Sequence, residues 1–256
     1  MTENSQDAAA FLDSSQYQTE LILQYESVYG EDFVSPGGLE MARELIARMN
    51  LAPGARVLDV GCGLGGSAFV MASEFDLKVD GIDLSNNMLE IARRKLEQKG
   101  LADQVAFEWG DCLELDQESV YDAVYSRDVF LHIHDKSRLF EVLRRALRSD
   151  GQLLFTDYCC GPQPWGDDFS AYVEERGYDL HTPEAYRELI VSAGYQQATG
   201  QDISDRFIEI LEADIRRIDA LDVDPRQREY LATSWRQKLA RSRSGDHRWG
   251  LFTAIR

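Results

Sequence analysis

The sequence is short of basic residues: 27 lysines and arginines stand against 45 aspartates and glutamates, giving the 256-residue chain a formal net charge of -18. Because proteins bind nucleic acid and acidic membrane surfaces through basic patches, we expect neither as a partner. Long apolar runs are missing too, since none approaches the roughly 18 residues of a membrane span. The polar N-terminus lacks the basic-then-apolar order of a signal peptide, so we expect a soluble, cytoplasmic protein. We also expect a monomer.

Cysteine and histidine are also scarce. The four cysteines show no C-x-x-C spacing, and the four histidines do not cluster. We therefore expect no metal site and no disulfide framework. No internal repeat or low-complexity linker divides the chain, and its length and 44% apolar content fit one α/β domain with an elaboration.

The sequence does contain a short apolar run, 57–60, that breaks into closely spaced glycines at Gly61, Gly63 and Gly66 and then into an amphipathic segment. This pattern predicts a strand, a tight turn and a helix. Only glycine combines positive φ with a close approach of the backbone to a ligand, so the turn indicates a nucleotide-like cofactor. The alternative is an ordinary glycine turn in a sheet protein.

The glycine pattern alone also fits a dinucleotide, because Asp83 follows at about the distance expected of a ribose-binding acid. Asp59, however, precedes the turn by two residues, where a carboxylate would repel a pyrophosphate and attract a cation. S-adenosylmethionine carries a sulfonium and an ammonium and no phosphate. It therefore suits this turn better than a nicotinamide dinucleotide does.

Strands and helices are predicted to alternate along the chain, which indicates a parallel sheet covered on both faces. The predicted strands are 57–60, 78–83, 105–109, 121–126, 152–156 and 248–255. The predicted helices are 14–29, 39–49, the segment from the glycine turn to 75, 86–99, 136–147, 182–193, 204–221 and 225–240. Ligands of such sheets bind beyond the carboxyl ends of the strands, which bear Gly61, Asp83, Asp111, Arg127, Asp128 and Tyr158.

The chain resembles the phosphoethanolamine N-methyltransferases over nearly its whole length. The resemblance is carried by Gln16-Tyr17, Leu131-His132 and the segments 25–30, 34–38, 58–63, 81–83, 125–128, 157–159, 172–178 and 248–250. The glycine segment is common to all class I methyltransferases, whereas the N-terminal and 172–178 segments are much more specific.

This resemblance implies an α/β fold of the class I methyltransferase, Rossmann-like type, with a seven-stranded mostly parallel sheet, an N-terminal helix and a substrate lid. We expect a disordered tail over 1–10 and a single methyltransferase domain over 11–256, with lid elements around 11–38 and 162–240. The implied enzyme uses S-adenosylmethionine, without a metal, to methylate phosphoethanolamine, its mono- and dimethyl derivatives, or both, giving phosphocholine and S-adenosylhomocysteine.

The resemblance also implies a set of site residues. The catalytic pair is Tyr17 and His132. The cofactor set is Val34, Ser35, Gly61, Asp83, Leu84, Asp111, Cys112 and Arg127, to which the glycine turn adds Asp59 and Gly63. The phosphobase set is Gln16, Tyr25, Asp128, Tyr158, Tyr172, Arg176, Tyr178 and Lys238.

The chemistry of these residues agrees with the implied substrate. A buried phosphate needs charge-assisted donors, which Arg176 and the tyrosine hydroxyls supply, although such tyrosines can equally be amphipathic core residues. Neutralising an amine of lysine-like pKa at pH 7 costs roughly 4 kcal/mol, so a base is useful. His132 can be that base with Tyr17 as its partner, although a lone histidine is more often structural. Asp128 would hold the ammonium, and His134, His181 and His247 are expected to be surface or structural residues.

Three other functions remain open. A methyltransferase for another small amine would keep the glycine turn but need not keep the lid cations. A catalytically silent, cofactor-binding partner protein would have no need of Tyr17 or His132, and both are present. An NAD-dependent reductase is the third alternative.

Overall fold

The computed structural model describes residues 3–256, which form ten α-helices and seven β-strands. The helices are α1 (Glu3–Ser14), α2 (Thr19–Tyr29), α3 (Gly38–Met49), α4 (Gly66–Phe75), α5 (Asn86–Lys99), α6 (Lys136–Ala146), α7 (Asp167–Arg176), α8 (Pro183–Ser192), α9 (Ser204–Asp219) and α10 (Pro225–Ser244). The strands are β1 (Arg56–Val60), β2 (Lys78–Asp83), β3 (Val105–Trp109), β4 (Tyr121–Arg127), β5 (Leu147–Cys160), β6 (Gln196–Asp202) and β7 (His247–Ile255).

The seven strands form one sheet in the order β3-β2-β1-β4-β5-β7-β6. The first five strands of this order are parallel, and β7 runs antiparallel to both β5 and β6. The expected seven-stranded, mostly parallel, class I methyltransferase sheet is therefore confirmed. The chain places β2 and β3 on one side of β1 and the later strands on the other side, so the strand order changes direction between β1 and β4. In an open α/β sheet, the ligand crevice lies beyond the carboxyl ends of the two strands at such a point.

Two hydrophobic cores cover the two faces of the sheet. Alternation along β4 directs Ala123 and Tyr125 into one core and Val124 into the other. The second core contains a stacked pair, Phe155 and Phe252, whose ring centroids lie 4.6 Å apart. Both faces are therefore dry, and the site is confined to the strand ends. No helix in the described range 3–256 is long and apolar enough to cross a bilayer.

One strand was not predicted. Gln196–Asp202 forms β6, which pairs only with β7 and so makes the edge of the sheet. Its residues are mostly polar and exposed, so it lacks the alternation of apolar and polar residues that marks a half-buried strand. Main-chain hydrogen bonds to β7, which a sequence does not display, hold it in place.

The N-terminal segment differs from expectation in two ways. Residues 3–10 belong to a helix rather than a disordered tail, while Met1 and Thr2 lie outside the described residues. The single helix predicted over 14–29 is divided into α1 and α2 by a connection that contains Tyr17. In this connection Ser15 Oγ donates to the carbonyl of Phe11, a local bond of the kind that competes with helix continuation.

Polar contacts explain why α1 is ordered although it is poor in apolar residues. Asp13 accepts hydrogen bonds from Ser85 Oγ at 2.5 Å and from the backbone N–H of Asn86 at 3.1 Å, at the start of α5. Ser85 is itself the N-cap of α5, accepting from Met88 N–H. Asp13 thus docks α1 on α5, and a carboxylate is favourable at that helix N-terminus.

Replacing Asp13 with alanine should loosen this docking. Loss of such an acceptor costs about 1 to 2 kcal/mol, so amide exchange within α1, measured by mass spectrometry, should become about 5- to 30-fold faster. The central strands should remain protected. Asp7→Ala removes the same charge from an exposed position on the same helix and is the control. Equal exchange in the two variants would contradict the docking role.

Candidate active site

A cavity of about 610 Å³ lies at the carboxyl ends of the strands, beneath the N-terminal segment, α7 and α10. All the expected site residues except Asp59 and Tyr172 line it. Of the segment 162–240 that was expected as a lid, α7 and α10 reach the cavity, whereas α8 and β6 pack into the body of the fold. The volume is large enough for a cofactor and a small substrate together.

The glycine turn closes one end of this cavity. Gly61 and Gly63 have φ of +70° and +54°, and a Cβ on Gly61 would lie 2.3 Å from a methyl carbon of Val129. Both conformation and packing therefore require glycine at position 61. The carboxylate of Asp83 accepts from the N–H of Gly63 and of Ser85, each at 2.8 Å. Asp83 fixes the turn, and its oxygens retain lone pairs for the hydroxyl groups of a ligand.

The next strand ends complete this part of the wall. The carbonyl of Leu84 accepts from the indole N–H of Trp109 at 2.9 Å. Asp111 accepts from the backbone N–H of Leu113 at 2.9 Å, which starts a short 3-10 turn with the buried Cys112. The three predicted site residues at these strand ends are each held in place by a local hydrogen bond or by burial: Leu84, Asp111 and Cys112.

Arg127 faces the cavity, but its guanidinium donors are directed at the protein backbone. They reach the carbonyl oxygens of Gly38 at 3.1 Å and Pro36 at 2.5 Å, and the residue is 5% exposed. Ser35 Oγ in turn donates to the carbonyl of Arg127 at 3.5 Å. Arg127 therefore attaches the segment that carries Val34 and Ser35 to the end of β4, and its side chain supports the cavity wall.

The structure does not support the electrostatic argument made for Asp59. This residue is 2% exposed on β1 and lies behind the glycine turn, outside the cavity wall. Burial, followed by the nearby charge of Asp83, raises the pKa of Asp59 to about 7. Because Asp59 does not line the cavity, the carboxylates that face its glycine-turn end are Asp83 and Asp111, whereas Asp128, Glu174 and Glu175 line it elsewhere.

The expected catalytic pair meets inside the cavity. Tyr17 Oη lies 3.0 Å from His132 Nε2, although the two residues are 115 positions apart. Tyr17 does not sit on a helix as expected but in the connection between α1 and α2, where Asn87 Nδ2 donates to its carbonyl at 2.9 Å. The ring of Tyr178 lies edge-on to His132, with centroids 5.1 Å apart.

Burial determines the protonation of this pair. Burial, together with the nearby charges of Lys136 and Arg176, lowers the pKa of His132 to about 4, and burial raises the pKa of Tyr17 well above the ordinary value. At neutral pH the imidazole is therefore uncharged and the phenol is protonated. With both neutral, Tyr17 Oη–H can donate to Nε2, which leaves the ring proton on Nδ1.

Asp128 offers an unused acceptor in the middle of the cavity. Its Oδ1 accepts from the indole N–H of Trp249 at 2.7 Å, whereas Oδ2 is buried and has no partner among the described residues. The residue has φ of +58°, held by its N–H donating to the carbonyl of Thr156. A buried carboxylate oxygen without a donor is costly unless a ligand supplies one, and a cationic amine is such a ligand.

The opposite end of the cavity carries two cations, Arg176 and Lys238, with Glu174 and Glu175 in the wall beside Arg176. Lys238 Nζ donates to Tyr158 Oη at 3.2 Å, and burial together with neighbouring arginines lowers the pKa of Lys238 to about 8. Gln16 Nε2 donates to the carbonyl of Arg176 at 3.3 Å, and the positive charge of Arg176 acts on Tyr25, partly offsetting the rise in its pKa that burial causes. Among the residues that the structure describes, no carboxylate lies within ion-pair distance of Arg176 or Lys238. This end therefore suits an anion.

Two further tyrosines surround these cations. Tyr178 lines the cavity, and Tyr172 lies directly behind it with ring centroids 5.6 Å apart. The guanidinium of Arg176 lies 5.9 Å from the centroid of Tyr172. Tyr172 is thus adjacent to the anion end of the site without lining the main cavity.

Comparison with known proteins agrees with this geometry. Residues 51–212 match the model of a methyltransferase domain. The chain is 42% identical to phosphoethanolamine N-methyltransferase 3 of Arabidopsis thaliana, over 100% of the chain and 53% of that protein. It is 30% identical to phosphoethanolamine N-methyltransferase of Plasmodium falciparum, over 100% of the chain and 99% of that protein.

A solved structure gives the same result. Phosphoethanolamine N-methyltransferase 2 of Haemonchus contortus, in complex with phosphomonomethylethanolamine and S-adenosylhomocysteine, superimposes with a TM-score of 0.93 at 33% identity, over 97% of the chain and 59% of that protein.

The chain belongs to the phosphoethanolamine N-methyltransferase family. This confirms the family expected from the sequence. It spans about half the length of the Arabidopsis relative and almost the whole of the Plasmodium one.

Sequence reasoning missed several residues that shape this phosphoethanolamine N-methyltransferase family site. Trp235 and Tyr29 line the cavity and pack against each other, with ring centroids 5.4 Å apart. Trp249 orients Asp128, and Arg241 contacts Tyr172. The position of Trp235 three residues before Lys238, on the same face of α10, is the one available signal.

The neutral state of His132 predicts a specific acid sensitivity. Its pKa lies at about 4 in the fold against 6.5 in a free side chain, so below pH 6.5 the unfolded chain binds a proton first. This costs up to about 1.4 kcal/mol of stability per pH unit until about pH 4. The His132→Gln variant does not have this acid-dependent loss of stability. Its stability deficit relative to the unmodified protein, measured by urea unfolding, should therefore shrink from pH 7 to pH 4.5.

His134→Gln is the control for this measurement, because His134 is an exposed neighbour. The loss of the deficit on acidification should be specific to the His132 variant. Parallel stability curves for the His132 variant and the unmodified protein would contradict a neutral His132 in the folded protein.

Proposed function

We propose that the chain is an S-adenosylmethionine-dependent N-methyltransferase acting on phosphoethanolamine, its mono- and dimethyl derivatives, or both, to give phosphocholine. One observation carries this proposal. A single cavity holds unpaired cations at one end and, nearer the glycine turn, a buried carboxylate oxygen of Asp128 without a donor. A small molecule with an anionic head and a cationic amine satisfies both ends at once.

The cofactor end fits S-adenosylmethionine better than a dinucleotide. The carboxylates facing it are Asp83 and Asp111, and the arginine beside it, Arg127, gives its terminal donors to backbone carbonyls. A pyrophosphate would thus meet acids and no free guanidinium there. Asp83 would accept from ribose hydroxyls, and the narrow glycine turn would let the ligand lie against the main chain. The bound cofactor supplies an electrophilic methyl group.

The phosphate would bind between Arg176, Lys238 and the tyrosine hydroxyls. These donors form charge-assisted hydrogen bonds, which are roughly twice as strong as neutral ones. Lys238 has a lowered pKa in the free site, and a dianion beside it favours its charged form. Binding energy gained at this end places the amine beside Asp128 and thereby aligns it for transfer.

Each methyl transfer to a protonated amine releases one proton, and the Tyr17 and His132 pair is placed to take it. Tyr17 can accept the amine proton while its own proton passes to His132 Nε2 across the 3.0 Å contact. The imidazole then carries the charge until it exchanges with solvent. Tyr17 does not need to ionise by itself, which its raised pKa would disfavour.

The alternatives fit the site less well. A methyltransferase for an uncharged or simple amine leaves the cationic end without an anion. A catalytically silent cofactor-binding protein gives no reason for a half-buried, hydrogen-bonded Tyr17 and His132 pair. Action as a cytoplasmic monomer stays a prediction.

The proposal is tested with a methyl-transfer assay on phosphoethanolamine, its mono- and dimethyl forms, and free ethanolamine. At least one phosphobase should be preferred over ethanolamine by about 100-fold or more in kcat/KM, because two or more charged hydrogen bonds are lost with the phosphate. Equal use of ethanolamine would support the small-amine alternative. Tight S-adenosylmethionine binding without transfer to any of these amines would support the silent one.

Arg176→Ala should raise KM for the phosphobase by about 10- to 100-fold and change KM for S-adenosylmethionine little, because a buried dianion loses its bidentate donor. Arg176→Lys should restore only part of the loss, since an ammonium cannot reproduce the planar fork. Arg206→Ala, at an exposed arginine paired with Glu209, is the control. If Arg176→Ala impaired the cofactor kinetics and left the phosphobase kinetics normal, Arg176 would not belong to the phosphate site.

His132→Ala should lower turnover by roughly 10² to 10⁴, with smaller effects on substrate binding, as is usual for loss of a general base. Tyr17→Phe should also slow turnover. Because a relay acts as one unit, the double variant should lose less than the product of the two single losses. Multiplicative losses would reject the relay even if each residue matters alone.

A further inference from the structure

A third cation lies just outside the cavity, beside the two that face it. Arg241 follows Lys238 by three residues on α10 and is 8% exposed. Its guanidinium carbon lies 3.9 Å from the centroid of the Tyr172 ring. The guanidinium of Arg176 lies 5.9 Å from the centroid of the same ring. Three positive side chains are thus gathered around the tyrosines of the anion end.

The charge of Arg241 is poorly compensated by the protein. The ion pair that the structure shows for it is with Asp168 at 3.5 Å, and the Asp168 side chain is 68% exposed. Such a solvated carboxylate offsets a buried charge weakly. Arg241 Nε is also buried without a hydrogen-bond partner among the described residues. A buried guanidinium in this condition is costly, and two other cations nearby raise the cost.

A dianion at the neighbouring site would reverse this balance. It would attract all three cations, whose mutual repulsion in the free protein is then offset. A guanidinium over the face of a tyrosine ring is attracted to it. Arg241 therefore holds Tyr172 in place behind Tyr178, which lines the cavity.

We propose that Arg241 is a positioning residue for the substrate phosphate, acting through Tyr172 and through its own charge without direct contact in the cavity. This rests on the proposed function. It explains why an arginine is buried on α10 beside Lys238 in a chain of net charge -18. It also makes selectivity for phosphorylated amines depend on a residue outside the cavity wall.

A purely structural role would give a different result. Arg241 could instead only tether α10 to α7 through Asp168 and Tyr172, in which case its loss would lower stability and leave substrate affinity unchanged. The two roles are separated by measuring phosphobase binding and the unfolding temperature on the same variants.

The experiment uses the full chain and measures phosphoethanolamine binding by calorimetry together with steady-state kinetics. Arg241→Met should weaken phosphoethanolamine binding and raise its KM by about tenfold, with kcat and KM for S-adenosylmethionine within about twofold. Arg241→Lys should show an intermediate loss, because it keeps the charge but not the planar stacking. This variant tests the proposal should the methionine variant fail to fold.

Two controls complete the set. Arg243→Met removes a cation from the same helix, at an exposed position paired with Glu212. Asp168→Asn removes the tether and keeps Arg241. Both should bind phosphoethanolamine normally. Unchanged binding in Arg241→Met with a lower unfolding temperature would overturn the positioning role and leave the proposed function standing. If the unmodified protein bound no phosphobase, both proposals would fail.

Discussion

The rest of the site depends on the hydrogen bonds that the buried guanidinium of Arg127 donates to the backbone at the start of α3. A charge that is 5% exposed must be hydrogen-bonded, and the carbonyls of Pro36 and Gly38 are the partners that it finds. This requirement fixes the chain just before α3 against the end of β4. The preceding residues then have little freedom, and they carry α2 across the strand ends. The N-terminal segment is therefore a wall of the cavity and not an appendage.

The same segment is attached at two further points. Lys95 on α5 pairs with Glu26 and with Asp32 at 2.7 Å, with all three side chains largely buried. Asp13 binds the start of α5. Together with Arg127, these bonds place Tyr17 and Tyr25 over the sheet. These polar contacts are directional, and they add to the apolar packing of the buried Ile22, Val28 and Tyr29.

The features visible in the sequence are those set by local patterns. The glycine turn, the acid at the end of β2 and the alternation of strands and helices follow from spacing and composition. The sequence did not predict β6, because an edge strand needs only main-chain hydrogen bonds. It did not predict the order of α1, because this helix docks through a carboxylate. It did not predict the role proposed for Arg241, because a charged residue on a helix is normally solvated. The Tyr17 and His132 contact came from family resemblance, because no local pattern joins residues 115 positions apart.

Charge around the cavity would link binding of the proposed phosphobase to the strength of the proposed base. Arg176 is one of the groups that lower the pKa of His132 in the free site, after burial and Lys136. A phosphate dianion bound at Arg176 would offset that positive charge and add a negative potential of its own. The pKa of His132 would then rise from about 4 toward its ordinary value, giving proton transfer from the amine more driving force. An amine without a phosphate would leave Arg176 uncompensated and His132 a weak base. The phosphate end would therefore contribute to turnover as well as to affinity, through the field that it imposes on the catalytic pair.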